Sequence, residues 1–275
     1  MTPVAADVAA AAARLRAAGC VFAEEEAELL AAAAATRAEL AAMVGRRAAG
    51  LPLEHVIGWA EFCGLRIAVG PGVFVPRRRS ELLVRQAIAV ARATRPGGDP
   101  ARAVRPVVLD LCCGSGAVGV AVVTALGSAD LHAADLEPAA VACARANVAA
   151  VNGRVYEGDL YDPLPATLRG RADVLVVNAP YVPTAEIPLL PSEARLHEPA
   201  VALDGGPDGV AIHRRVAAEA AAWLAPHGKL LIETSDRQAA LTAAAMKTGG
   251  LVSTVVSDDD LAATVVVGSL PTGPS

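Results

Sequence analysis

A strand that ends in small residues constrains this chain most. Val107-Val-Leu-Asp-Leu-Cys-Cys-Gly-Ser-Gly116 passes from an apolar run into a glycine turn, and helix-forming composition begins at Ala117. The same alternation continues downstream. Strand candidates at Val107–Leu111, Leu131–Asp135, Val155–Glu157, Asp173–Val177 and Lys229–Thr234 have helix candidates between them at Gly116–Leu126, Pro138–Ala149 and Gly209–Leu224. This pattern predicts an α/β fold with a doubly wound, mostly parallel sheet covered on both faces. Leu251–Val256 and Ala262–Val267, separated by Asp258-Asp-Asp260, predict an antiparallel hairpin at the sheet edge, for seven strands in all.

Upstream the texture differs. From about Ala5 to Arg47 the chain is rich in Ala, Leu, Glu and Arg with apolar residues at helical spacing, as in Leu29, Leu30, Ala33 and Ala34 or Leu40 and Met43. A helical N-terminal domain is therefore expected over residues 1–50. Residues 51–76 carry short apolar runs broken by Gly58, Gly64, Gly70 and Gly72, which predicts a linking β-hairpin before a main domain at 77–275. Pro96-Gly-Gly-Asp-Pro100 reads as a loop and Pro271–Ser275 as a loose tail.

Composition excludes several function classes. The 275 residues carry 24 basic and 29 acidic side chains, a net charge of −5, whereas domains held to nucleic acid by counterion release are usually basic. Hydrophobic content of 54% with 19% charged residues excludes disorder, and 3% aromatics makes the core aliphatic. The longest uncharged stretch, Leu111 to Ala129, is interrupted by Gly114, Ser115, Gly116, Gly119 and Thr124, so no membrane span is expected. The start of the chain lacks a basic region followed by a compact apolar segment, so no secretory leader is expected. Five cysteines without a C-x-x-C pair suit a reducing cytoplasm and predict no metal site.

The glycine turn brings backbone N–H groups close to a ligand, because glycine lacks the Cβ that would block the approach. It has G-x-G at Gly114 and Gly116 with Gly119 beyond, while Cys112 fills the first glycine slot. Asp135, nineteen residues after Gly116, ends the next strand, where a carboxylate can accept hydrogen bonds from both ribose hydroxyls. Asp110 either approaches the positive end of a sulfonium ligand or caps the helix that follows. Asp159 either accepts from an adenine amine or only forms a turn. Adjacent Cys112 and Cys113 read as small neutral spacers. Arg77-Arg-Arg79 reads first as a solvated loop, and second as a lure for an acidic or RNA-associated partner.

A second turn, Asn178-Ala-Pro-Tyr181, ends the strand candidate at Asp173–Val177, on the edge where open parallel sheets bind ligands. A planar amide or aromatic amine is a poor nucleophile because its lone pair is delocalised, so both N–H groups must be held and the nitrogen aimed at an electrophile. The Asn178 side-chain oxygen and the Ala179 carbonyl can each accept one such N–H, Pro180 stiffens the turn, and Tyr181 offers a surface for a flat group. Asn is no general base, so alignment and pre-organised electrostatics are the expected mechanism. An ordinary strand-to-loop turn is the alternative.

Taken together, these residues resemble the HemK/PrmC family of class I S-adenosylmethionine-dependent methyltransferases, which methylate the side-chain amide nitrogen of glutamine in proteins. The resemblance runs through Arg46-Arg-Ala-Ala-Gly-Leu-Pro-Leu-Glu-His-Val-Ile-Gly58, Phe62-Cys-Gly64, Pro71-Gly-Val-Phe-Val-Pro-Arg77, Asp110–Gly116, Gly158-Asp-Leu160, Asn178–Tyr181, His197-Glu-Pro199, Asp204-Gly-Gly206 and Asp208-Gly209. It implies a Rossmann-like sheet, with Asp135 on the cosubstrate ribose, Asp110, Cys112, Gly114 and Gly116 along its methionine part, and Asp159 and Leu160 at its adenine. Phe74, Pro76 and Arg77 would contact the substrate glutamine, whose amide Asn178, Ala179, Pro180 and Tyr181 would hold, Asn178 also bordering the cosubstrate. The implied partner is a protein, in the family a peptide-chain release factor with a Gly-Gly-Gln motif, gripped with help from the helical domain of a cytoplasmic monomer. No membrane or stable nucleic-acid partner is expected. Three departures stand out: Ala179 in a turn that is usually Asn-Pro-Pro-Tyr, Pro76-Arg-Arg-Arg-Ser-Glu81 for the usual Pro-Arg-Pro-Glu-Thr-Glu, and Cys112 for a glycine. They point to a side branch of the family with its own substrate.

Two rivals remain. Adenine-amine methyltransferases acting on DNA or RNA share an Asn-x-Pro-Tyr turn but usually carry basic surfaces. A catalytically silent nucleoside-binding interaction subunit is the other, and Ala179 is the feature that favours it.

Overall fold

The structure, a computed structural model, describes residues 3–93 and 105–271. The loop read at 96–100 and the tail beyond 271 lie outside the described residues.

Helices α1 (Ala5–Ala17), α2 (Ala23–Ala33), α3 (Arg37–Ala48) and the short α4 (Leu53–Ile57) bury Leu15, Ala27, Leu30, Leu40, Met43, Val44 and Val56 in a core of their own. The start of α3 shows why: the Thr36 hydroxyl accepts the Glu39 N–H at 3.1 Å while the Glu39 carboxylate accepts the Ala35 N–H at 2.8 Å, a reciprocal cap. Leu51, Leu53, Val56 and Ile57 belong to this helical core although the sequence puts them in the linker, because one turn of α4 turns Val56 inward. Antiparallel strands β1 (Trp59–Phe62) and β2 (Leu65–Ala68) follow, joined through Cys63 and Gly64, whose φ values of 51° and 73° suit a tight hairpin turn. Phe62 and Ile67 are buried in the core of the main sheet.

Helix α5 (Glu81–Ala93) went unread in the sequence, yet Leu83, Val84, Ala87, Val90 and Ala91 recur at helical spacing and are buried. The main sheet then assembles from β3 (Val107–Leu111), α6 (Ala117–Leu126), β4 (Asp130–Asp135), α7 (Pro138–Ala149), β5 (Arg154–Glu157), β6 (Ala172–Val177), α8 (Ser192–His197), α9 (Ala211–Trp223), β7 (Leu224–Thr234), α10 (Ala239–Thr248), β8 (Val252–Asp258) and β9 (Ala263–Ser269). Its seven strands run in the order β5-β4-β3-β6-β7-β9-β8, the first five parallel and β9 antiparallel to both neighbours. All seven strands expected from the sequence are present.

Every residue of β3 and β6 is buried, as strands covered on both faces require. Val108, Val174 and Val176 face α5 and α6 on one side, while Leu109, Leu175 and Val177 face α9 and α10 on the other. On that second face Tyr161 stacks on Trp223 with ring centroids 5.3 Å apart. After β3 the chain continues to β4 on one side, and it later returns to β3's other side as β6. The strand order therefore reverses at β3, and a crevice must open at the carboxyl ends of β3 and β6. Leu111–Ala129, examined above for membrane length, is the end of β3, a turn and α6, and among the described residues no helix is long and apolar enough to cross a membrane.

Candidate active site

A cavity of about 800 Å³ occupies that crevice. It is lined by Phe74, Pro76, Arg77, Asp110, Cys112, Gly114, Asp135, Asp159, Leu160, Asn178, Ala179, Pro180 and Tyr181. These residues come from segments separated by up to a hundred positions, and the sheet topology brings them to one place.

On one side lies the glycine turn. Cys112, at the first glycine slot, takes φ +54°, the left-handed region that explains why glycine is usual there. Burial pushes the thiols of Cys112 and Cys113 well up, with Asp135 and Asp110 adding to it, so both stay neutral. Asp135 holds the turn and the next loop together: Oδ2 accepts the Gly114 N–H at 2.8 Å and Oδ1 the Glu137 N–H at 2.9 Å. Each oxygen retains a lone pair for a vicinal diol. Asp110 is 2% exposed, and its Oδ2 accepts the Gly119 N–H at 2.9 Å. Burial pushes its carboxyl up to about 7, against the pull of that hydrogen bond. A buried carboxylate with one backbone donor suits a cationic ligand, and at Gly114 the space around the backbone is open. This donor set fits S-adenosylmethionine: cationic at the methionine end, a diol in the middle, a flat base beyond.

Gly116 does not line the cavity. It starts α6, and a Cβ there would come 2.9 Å from Val148 Cγ2 on α7, so its glycine serves helix packing. Asp159 is paired with Arg215 of α9 at 2.7 Å, beside buried Leu160.

On the other side, Asn178–Tyr181 leave the end of β6. Asn178 is half-buried, with its Nδ2 donating to Ser80 Oγ at 3.1 Å. The Ala179 methyl packs into the core, 2% exposed. The Tyr181 hydroxyl donates to Glu233 Oε1 at 3.5 Å and its carbonyl accepts from Gln238 Nε2 at 2.8 Å. Burial, with the Glu233 carboxylate beside it, pushes the Tyr181 phenol up to about 12, so it stays protonated at neutral pH. Glu233 is itself pushed up by burial, against Ser80, Arg79 and Tyr181.

The arginine run is not the plain solvated loop read from the sequence. Arg78–Ser80 form a 3-10 turn leading into α5, and Arg77 lies over the Phe74 ring, 5.2 Å from its centroid, paired with Glu198. Glu198 is 6% exposed; burial pushes its carboxyl up, and Arg77 pulls it back. Arg78 and Arg79 are exposed, with Arg79 lining the cavity. A buried carboxylate from the His197-Glu-Pro199 segment captures the first arginine, which no local pattern announces. Sequence reasoning also passed over Ser80, Arg215, Glu233 and Gln238. Only Glu233 left a trace, as a charge near the end of the apolar run Leu230-Leu-Ile-Glu233.

A family model described as "Methyltransferase small domain" matches residues 100–191. The chain is 38% identical over 206 residues to a release factor glutamine methyltransferase of Geobacter sulfurreducens, covering 73% of this chain and 68% of that protein. It is 38% identical over 220 residues to the protein of the same description from Mycolicibacterium smegmatis, covering 80% and 74%. A 4-amino-L-phenylalanine/4-methylamino-L-phenylalanine methyltransferase of Streptomyces pristinaespiralis is 36% identical over 207 residues, covering 75% and 69%. Among solved structures, the ribosomal protein L11 methylase of Lactobacillus delbrueckii subsp. bulgaricus matches with a TM-score of 0.51 at 14% identity, over 75% of this chain and 86% of that one, which shows a shared fold.

Proposed function

This chain belongs to the HemK/PrmC family, the release factor glutamine methyltransferases, and from that premise we propose that it methylates the side-chain amide nitrogen of a glutamine in a protein, a peptide-chain release factor with a Gly-Gly-Gln motif. The observation that carries this reading is that Asn178 opens into the same cavity as the carboxylates of Asp110 and Asp135.

S-adenosylmethionine, when bound, supplies a methyl group made electrophilic by its cationic sulfur. Asp110, Cys112 and Gly114 would hold its methionine end, Asp135 its ribose, and Asp159 with Leu160 its adenine. Asn178 Oδ1 and the Ala179 carbonyl accept the two N–H groups of the substrate carboxamide, which fixes its plane and turns the nitrogen lone pair toward the methyl group. Phe74, Pro180 and Tyr181 flank the flat group, and Pro76 and Arg77 shape the entrance. The elbow offers no base: Asn does not titrate and Tyr181 keeps its proton. The alkylated nitrogen is a strong acid and loses its proton to water after transfer. A net charge of −5 supports a protein acceptor over nucleic acid, and five free cysteines support a cytoplasmic setting. The same reading has the enzyme work as a monomer.

The test is to incubate the purified protein with methyl-labelled S-adenosylmethionine and, in separate reactions, a release factor, free 4-amino-L-phenylalanine, DNA and RNA, then map the label by mass spectrometry. Label on the glutamine of Gly-Gly-Gln, abolished in Asn178→Ala, is expected. Label only on the free amine or only on nucleic acid overturns the reading.

A further inference from the structure

We infer that Glu233 is a positioning residue that, acting through Ser80, decides which atom of the Asn178 carboxamide faces the acceptor. The inference rests on the proposed glutamine chemistry and assigns the control of its orientation.

A primary carboxamide has nearly the same shape with its oxygen and nitrogen exchanged, but only one orientation offers an acceptor to a substrate N–H. Nothing in the elbow itself selects that orientation. The selection comes from two neighbouring elements. Ser80, 1% exposed in the 3-10 turn before α5, sits with its Oγ 3.1 Å from the Asn178 amide nitrogen. Glu233, 2% exposed near the end of β7, receives the Ser80 hydroxyl as a hydrogen-bond donor and has the Tyr181 hydroxyl 3.5 Å from Oε1. Its Oε2 is buried and finds no other partner among the described residues. An unsatisfied buried acceptor is costly, so the single Ser80 proton is drawn to this carboxylate. Ser80 Oγ is then left with lone pairs alone, and only the NH2 end of Asn178 can meet them. The Asn178 oxygen is thereby turned to the acceptor side. The conclusion does not depend on how the amide was oriented at the outset, because an ionised carboxylate has no proton to give and the order of donors follows from it. Arg79, close enough to act on Glu233, favours that ionised form. Through Tyr181 the same carboxylate also ties down the far end of the elbow.

The test uses the full chain with two readouts. In nitrogen-15 spectra, with the Asn178 side-chain signals identified by their loss in Asn178→Ala, the wild-type NH2 exchanges slowly with solvent. Ser80→Ala and Glu233→Gln speed that exchange about tenfold or more and lower kcat on the release factor by about tenfold or more, with the Kd for S-adenosylmethionine by calorimetry unchanged. Ser80→Thr, which keeps the hydroxyl, recovers what Ser80→Ala loses. Wild-type exchange and kcat in Ser80→Ala would overturn the inference, as would a loss of cofactor affinity in step with kcat. Should Glu233→Gln fail to fold, Ser80→Ala and Ser80→Thr decide alone. If the wild type leaves the release factor unmodified while Asn178 exchange responds as described, the proposed substrate fails and this inference stands.

Discussion

Gly209 gives the sharpest test of how the acceptor elbow is supported. It follows Asp208 and precedes α9, with φ +75°, and a Cβ built there would meet Gln238 Nε2 and the Tyr181 carbonyl oxygen, both well inside 3.0 Å. Gln238 Nε2 is the donor that holds the Tyr181 carbonyl at 2.8 Å and the Asp208 carbonyl at 3.1 Å. Gly209→Ala therefore has two costs. Left-handed backbone strain contributes about 1–2 kcal/mol. Overlap with a main-chain oxygen, which yields far less easily than a side-chain tip, contributes about 1–3 kcal/mol. The sum of about 2–5 kcal/mol corresponds to a Tm drop on the order of 5–20 °C for a chain of this size. Gly127 separates the two costs: its φ is +74°, yet a Cβ there meets nothing within 4 Å. Gly127→Ala should lose only the strain, about 1–2 kcal/mol and a few degrees. Thermal melts by circular dichroism measure both variants side by side, and kcat should fall in Gly209→Ala alone because only there is the Tyr181 tether displaced. Two variants melting together, with equal turnover, would refute the overlap argument.

Asp110 predicts a pH signature. With its folded-state carboxyl near 7 and an ordinary unfolded carboxyl near 4, the folded protein binds the extra proton, so stability contributed below about pH 4 is lost as pH rises through 7, while affinity for a cationic ligand rises over the same range. Melts and calorimetry at pH 5.5 and 8 should show both trends in the wild type, and Asp110→Asn should flatten the melts and weaken S-adenosylmethionine at either pH. Arg47 in α3 donates to Glu26 of α2 at 2.6 and 3.0 Å and to Glu193 of α8 at 2.9 Å. Arg47→Ala strands the buried Glu26 carboxylate and should cost about 3–5 kcal/mol, read by denaturant unfolding, with much of the loss returned by adding Glu26→Gln.

Much of this architecture was legible from the chain because its signals are local. The seven strands are short apolar runs bounded by turn residues, and the two ligand-facing turns follow β3 and β6 directly. Asp110, Asp135 and Asn178 could be picked out for the same reason: each is a polar residue at the end of an apolar strand, where a parallel sheet presents it. Helix α10 escaped notice because Ala239-Ala-Leu-Thr-Ala-Ala-Ala-Met-Lys-Thr248 has small residues all round and hardly any apolar stripe. Gly116 shows a limit of motif reading. Its place in the glycine pattern suggested ligand contact, whereas its neighbour is a valine on the next helix.

The sequence by itself determined the element types, the parallel core and the chemistry on offer at two turns, since these depend on spacing of two to four residues and on what each side chain can donate or accept. Only the tertiary structure decided who supports whom: that Glu198 takes Arg77, that Arg215 takes Asp159, and that Ser80 and Glu233 stand behind Asn178. Such pairings join positions from 56 to more than 150 residues apart through the strand order of the sheet. Burial raises the cost of an unpaired charge only after that order has closed around it, so no local pattern in the chain records the partner.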